Sequence, residues 1–191
     1  MSFLEQIKKN RLNLKATETQ VTYADGRKAI ECKDKVRLLD EKSHGFVVDT
    51  KPDTVPACIL DNNLYLGSQD SVDASNINSF GLTHILSVGI DTPNADLYSN
   101  VTCKYVPCLD LPETDLKAVC DESNQFIADA LNNDGKVLVH CNAGVSRSTS
   151  VVIGYLVTCK RLSFNEAYDL VKSKRPCIQP NAGFLKQLKE F

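Results

Sequence analysis

Residues 136–160 read KVLVHCNAGVSRSTSVVIGYLVTCK. The opening KVLVHC is nearly all apolar, which suits a short strand at the centre of a sheet covered on both faces. A short loop of small residues with one glycine follows. From about Ser146 the chain reads as a buried helix. The run Val151, Val152, Ile153 is β-branched and competes with that reading, but the length of the segment and the strand before it favour the helix. A strand that runs through a tight loop into a helix is the repeating unit of an α/β fold.

Working outward, the same alternation continues. ILDNNLYLG, ending at Gly67, predicts two short strand segments around a turn. SVDASNINSFG predicts a helix closed by Gly81. LTHILSVG is a strongly apolar strand, and VTCKYVPCLD a further one ending at Asp110. LKAVCDESNQFIADALNNDG holds a helix with Val119, Phe126, Ile127, Ala130 and Leu131 inward, stopped by Asn133, Asp134 and Gly135. SFNEAYDLVKSKRP opens with a capping box, Ser163 and Glu166, and Pro176 ends that helix. Another helix starts at Asn181. The expected architecture is α/β: a central twisted, mainly parallel sheet with helices on both faces.

The chain divides into two expected parts. Residues 1–56 form a polar N-terminal extension with a short helix in SFLEQIKKN and a hairpin turning at Asp25-Gly26. Residues 57–191 form the compact domain. With 191 residues and a net charge of −2, the chain lacks the basic excess that nucleic acid or an acidic membrane surface would attract. No run reaches the roughly 18 apolar residues a membrane span needs. The opening stretch has no apolar core of a signal peptide, and Ser2 stands where myristoylation needs glycine. Eight cysteines without a C-x-x-C pair or zinc-ligand spacing suggest reduced, mostly buried thiols. A cytoplasmic location, with the nucleus open, is the corresponding expectation.

The loop between strand and helix carries the chemistry. It lies at the sheet edge where α/β folds bind ligands. The peptide N–H groups of Asn142, Ala143, Gly144, Val145, Ser146 and Arg147 can turn inward and cradle a dianion, aided by the positive end of the helix. Arg147 adds a planar fork for two phosphoryl oxygens. The same field favours a thiolate at Cys141, a strong nucleophile. Charge balance then needs no metal or other cofactor. His140 points away from Cys141 and serves to orient the loop. Ser148 either donates to the Cys141 sulfur or caps the helix start. Ser146 is expected to face outward and cap the helix.

Cleaving a phosphate ester also needs an acid for the departing oxygen. Asp110, at the end of a neighbouring strand, is the favoured carboxylate. Glu113 lies further out in the loop, and Asp115 reads as the cap of the next helix.

The stretch from His140 to Ser148 resembles the H-C-x-x-G-x-S-R-S signature of dual-specificity protein phosphatases. The likeness extends over about residues 57–191: LYLGSQ, LTHILSVG, LDLPETD and AYDLVKSKRPCIQPNAGFLKQL all have counterparts there. The spacing from Asp110 to Cys141 (141 − 110 = 31) matches as well. The resemblance implies a two-step reaction. Cys141 attacks, and a phosphocysteine is then hydrolysed, with Asp110 as acid first and water activator second. It also implies that Asn181 supports the acid loop or the cysteine loop, besides capping a helix. As a whole the chain resembles a small atypical member connected with stress-activated kinase signalling. The implied partner is therefore a phosphorylated protein, such as a stress-activated kinase or one upstream of it. Two alternatives stay open: a phosphoinositide or RNA 5′-phosphatase, disfavoured by the uncharged Asn142, Ala143 and Val145, and a kinase scaffold with secondary activity. The cluster Lys8, Lys9, Arg11 with Leu12 and Leu14 could be a docking peptide, though ordinary solvated surface is the stronger reading.

Overall fold

The computed structural model describes residues 19–22, 27–32, 35–42, 53–92 and 100–191. The chain forms two compact units, Met1–Thr50 and Lys51–Phe191. The first holds a three-stranded antiparallel sheet: β1 (Thr19–Thr22), β2 (Arg27–Cys32) and β3 (Lys35–Lys42). Two strands were expected here and there are three. KVRLLDEK carries few apolar residues among its charges, so its strand character comes from pairing with β2 rather than from local pattern. The expected first helix, the Asp25-Gly26 turn and the Lys8–Arg11 cluster lie outside the described residues.

The second unit is built on a five-stranded sheet in the order β4-β5-β8-β6-β7. β4 (Ala57–Leu60) and β5 (Leu64–Gly67) are antiparallel, joined by a turn in which Asp61 and Asn62 take positive φ. Short polar side chains tolerate that conformation best. The remaining pairs, β5–β8, β8–β6 and β6–β7, are parallel, with β6 at His84–Val88, β7 at Thr102–Val106 and β8 at Val137–His140.

Side chains alternate across the sheet, as the pleat requires. Leu64, Leu66, Leu86, Val88, Val137 and Val139 face one core. Four helices cover it: α2 (Leu116–Asn132), α3 (Arg147–Thr158), α4 (Phe164–Lys174) and α5 (Ala182–Leu188). Tyr65, Ile85 and Leu138 face the other way, onto Val72, Leu82 and Ile77 of α1 (Ala74–Phe80). Gly81 closes α1 in the left-handed conformation, as expected.

α3 is buried on every side from Ser148 to Leu156. Its β-branched residues cost a few tenths of a kcal/mol each in helix propensity. Burying Val151, Val152 and Ile153 completely contributes about 1.5–3 kcal/mol each, so packing decides the conformation. In α2, Val119, Ile127 and Ala130 are buried, whereas Phe126 and Leu131 are only partly so; Leu116, Cys120, Ser123 and Asn124 complete its inner face. The Ser163–Glu166 capping box is formed in both directions.

One boundary differs in a way that matters. β7 ends at Val106, not at Asp110. Pro107 has no N–H to continue a ladder. Residues 107–115 therefore leave the sheet as a loop over its carboxyl edge. Because the strands are parallel, that same edge receives the ends of β5, β6 and β8.

Candidate active site

Cys141 follows β8 directly and is 2% exposed. The loop after it is held from outside by its carbonyl groups. The Asn142 carbonyl accepts from the Gln69 backbone N–H at 3.0 Å and that of Val145 from Gln179 N–H at 2.8 Å. Arg175 donates from Nε to the Gly144 carbonyl at 2.8 Å and from Nη2 to that of Ala143 at 3.0 Å. Thr149 Oγ1 also reaches Gly144 O, at 3.3 Å. The Ser146 carbonyl is taken by Ser150, through N–H and Oγ. With these five successive carbonyls engaged, the loop N–H groups are left available to a tetrahedral anion. Gly144 makes the turn at φ 64°, where an added Cβ would lie 2.5 Å from Gly67 O.

The Cys141 sulfur receives two donors: the Gly144 N–H at 3.3 Å and the Ser148 hydroxyl at 3.2 Å. Both stabilise negative charge on sulfur. The Ser148 hydroxyl is therefore placed on the sulfur. Arg147 lies in the first turn of α3. Its Nη1 is anchored on the Gly89 carbonyl at 2.8 Å, while Nε is buried with no hydrogen-bond partner among the described residues. Gly89 is there because the backbone approaches so closely: a Cβ would meet Cys108 O at 2.0 Å. One edge of the guanidinium is therefore fixed and the other carries a free donor beside the loop.

Asp110 overlooks this cradle. Its Oδ1 accepts from Ser146 Oγ at 2.7 Å and from Asn181 Nδ2 at 2.8 Å, and its Oδ2 stands 3.9 Å from Arg147 Nε. The last contact is long and partly exposed, so it contributes little energy. The first two hold Oδ1 from two sides, while Oδ2 is left on the Arg147 side. Besides its contact with Asp110, Asn181 caps α5, its Oδ1 accepting from the Phe184 N–H at 2.9 Å. Ser146 corrects its expectation. It is buried and makes no side-chain cap; its hydroxyl donates to Asp110 and accepts from the Asn181 N–H at 3.1 Å. The hydroxyl is engaged by Asp110 and Asn181 instead of by the start of α3. Of the competing carboxylates, Asp115 caps α2 through the Ala118 N–H and Glu113 is exposed.

His140 is fully buried and its Nε2 lies 2.7 Å from Ser87 Oγ on β6. Burial pushes its pKa down from 6.5 to about 4, with the Cys141 backbone opposing weakly, so the ring is neutral at physiological pH. Cys108 lies close to the same site. Burial raises its thiol to about 11, against the pull of Arg147, which keeps it protonated.

Sequence reasoning assigned no role to Arg175 or Asp53, whose carboxylate pairs with the Arg175 guanidinium. An arginine at a helix end ordinarily reads as solvated surface. The signal is the neighbouring Pro176, which forces Arg175 out of the helical conformation, to φ −136° and ψ 89°, and turns it toward the loop.

Comparison with known proteins shows the family. The model of the dual specificity phosphatase catalytic domain matches residues 64–191. Dual specificity protein phosphatase 19 of Mus musculus is 38% identical over 196 residues, covering 95% of this chain and 86% of the mouse protein. The crystal structure of DUSP15 superposes with a TM-score of 0.65 at 35% identity, covering 71% of this chain and 86% of that one. A mouse putative dual specificity phosphatase complexed with zinc tungstate gives a TM-score of 0.65 at 29% identity, covering 78% and 91%. A matching family over most of the chain, a shared α/β fold and a cysteine set beneath an anion cradle lead to one conclusion: the chain belongs to the dual specificity protein phosphatases.

Proposed function

We propose that the chain hydrolyses phosphotyrosine and phosphoserine or phosphothreonine in proteins through a phosphocysteine intermediate, acting on a phosphorylated kinase of the stress-activated pathway. The observation that carries the chemistry is the cradle itself: Cys141 Sγ under Gly144 N–H, with Arg147 Nε unpartnered beside it. A phosphoryl group fits there with its oxygens on the loop amides and Arg147. The Cys141 thiolate attacks phosphorus, the P–O ester bond breaks, and Asp110 gives its proton to the departing oxygen. Water then attacks the phosphocysteine, giving a proton to the Asp110 carboxylate and releasing phosphate and thiolate. Ser148 donates to the leaving sulfur in this second step.

The cradle suits protein substrates because its variable positions are uncharged and Asn142 and Ala143 are exposed. The flanking Leu109 and Leu111 are exposed as well, at 68% and 44%, and offer apolar contacts to a peptide rather than charge to a polyanion. That a similar mouse phosphatase forms a complex with zinc tungstate supports oxyanion binding as the reading for this chain. The kinase setting rests on the resemblance of the sequence to a phosphatase connected with stress-activated kinase signalling. Substrate trapping from lysate with Cys141→Ser tests the reading. Recovery of a phosphorylated kinase, released by tungstate, is expected; recovery of lipid or RNA alone would contradict it.

A further inference from the structure

We infer that Asp53 is a positioning residue for the anion cradle, acting through Arg175. The inference rests on the reading of residues 141–147 as that cradle. Three loop carbonyls, those of Asn142, Val145 and Ser146, are held by backbone N–H groups of distant or following residues. The two between them, Ala143 and Gly144, are held by side chains, chiefly Arg175. These two flank the positive-φ turn, whose N–H points at the Cys141 sulfur. A peptide that flipped there would present a carbonyl oxygen, rather than an N–H, to an incoming anion.

Arg175 is only 5% exposed. A guanidinium buried to that degree needs a neutralising partner to hold a defined position. Asp53 supplies it through Oδ2 on Nη2. Asp53 is itself fixed. Its carbonyl accepts from Ser68 Oγ at 2.8 Å, and the next carbonyl, of Thr54, accepts from Asn76 Nδ2 at 2.6 Å. The segment ahead of β4 is thereby fastened to the body of the domain with its carboxylate aimed at the back of the loop. Asp53 stands eleven residues before the segment that the family model matches (64 − 53 = 11). A part of the chain outside the recognised catalytic segment thus sets the geometry of the catalytic loop.

The test uses the full chain with Asp53→Asn, Asp53→Glu and Arg175→Gln. Inhibition by tungstate and kcat/KM on an activated aryl phosphate are read per folded molecule, with the folded fraction taken from circular dichroism. Asp53→Asn is expected to weaken tungstate binding and lower kcat/KM by a common factor of about ten, the worth of one charge-assisted contact. Its pH–rate limbs and leaving-group dependence should stay as in the parent, because the acid is untouched. Asp53→Glu should recover both values to within roughly twofold. Arg175→Gln should lose at least as much as Asp53→Asn. Should Arg175→Gln fail to fold, the decision lies with Asp53→Asn, whose side chain is partly exposed. Unchanged tungstate inhibition in a folded Asp53→Asn, or a loss that disappears once corrected for unfolded protein, would overturn the inference alone. A parent protein that binds no tungstate would overturn the reading of the cradle as well.

Discussion

Arg147 illustrates how much a single side chain is asked to do. One nitrogen holds the Gly89 carbonyl and another is left free for substrate. Lysine can satisfy only one of these at a time. Arg147→Lys should therefore lower kcat/KM by at least about 10²-fold, the lower range for losing a transition-state donor; a loss below tenfold on an aryl phosphate would make Arg147 structural. Asp110→Asn should cost roughly 10²-fold or more on phosphotyrosine, yet much less on an activated aryl phosphate whose leaving group needs little protonation. Ser146→Ala removes one of two contacts on Asp110 Oδ1 and should show the same leaving-group signature in weaker form, about fivefold for one hydrogen bond. Equal losses on both substrates would show that Ser146 acts on the loop instead. The nearness of Cys141, Arg147 and Asp110 to one another was legible in the sequence from residue type and spacing. The role of Ser146 was not, since a serine before a helix has a local use as a cap, and only the tertiary approach of Asp110 and Asn181 gives it another.

At the scale of elements, strand β8, the loop and α3 were legible from one continuous stretch. Apolar density marks the strand and the buried helix, and Gly144 marks the turn between them. What holds the loop was not legible. Its supports come from Gln69, Arg175 and Gln179, and long-range pairing leaves no local periodicity to read. The end of β7 was placed four residues too late for a related reason: VPCLD keeps an apolar look after Pro107 has already broken the ladder. Gly144→Ala probes this element directly. The new Cβ would meet Gly67 O at 2.5 Å and Arg175 Nη2 at 2.6 Å, at a positive φ. Left-handed backbone strain alone costs about 1–2 kcal/mol, so the urea midpoint should fall and activity with it. An active variant of parental stability would mean that the loop has room the structure does not show.

For the molecule as a whole, His140 links the sheet to stability. Its pKa is about 4 when folded against 6.5 ordinarily, so the unfolded chain binds more protons between those values. Stability from this group is complete above about pH 6.5 and is lost as pH falls toward 4. The full loss is ~3 kcal/mol, of which about 2 kcal/mol has gone by pH 5. His140→Asn should lower stability at every pH but reduce the fall between pH 7.5 and pH 5 by about that amount, measured by urea unfolding. An unchanged fall would place the titration elsewhere.

The central claim is that phosphorus passes through the Cys141 sulfur. Rapid acid quench during turnover of a radiolabelled aryl phosphate, followed by peptide mapping, measures this directly. The label should appear on the peptide containing Cys141, accumulate in Asp110→Asn because water activation is slowed, and be missing in Cys141→Ser. Parental turnover with no labelled intermediate in any variant, or label carried by another residue, would contradict the account.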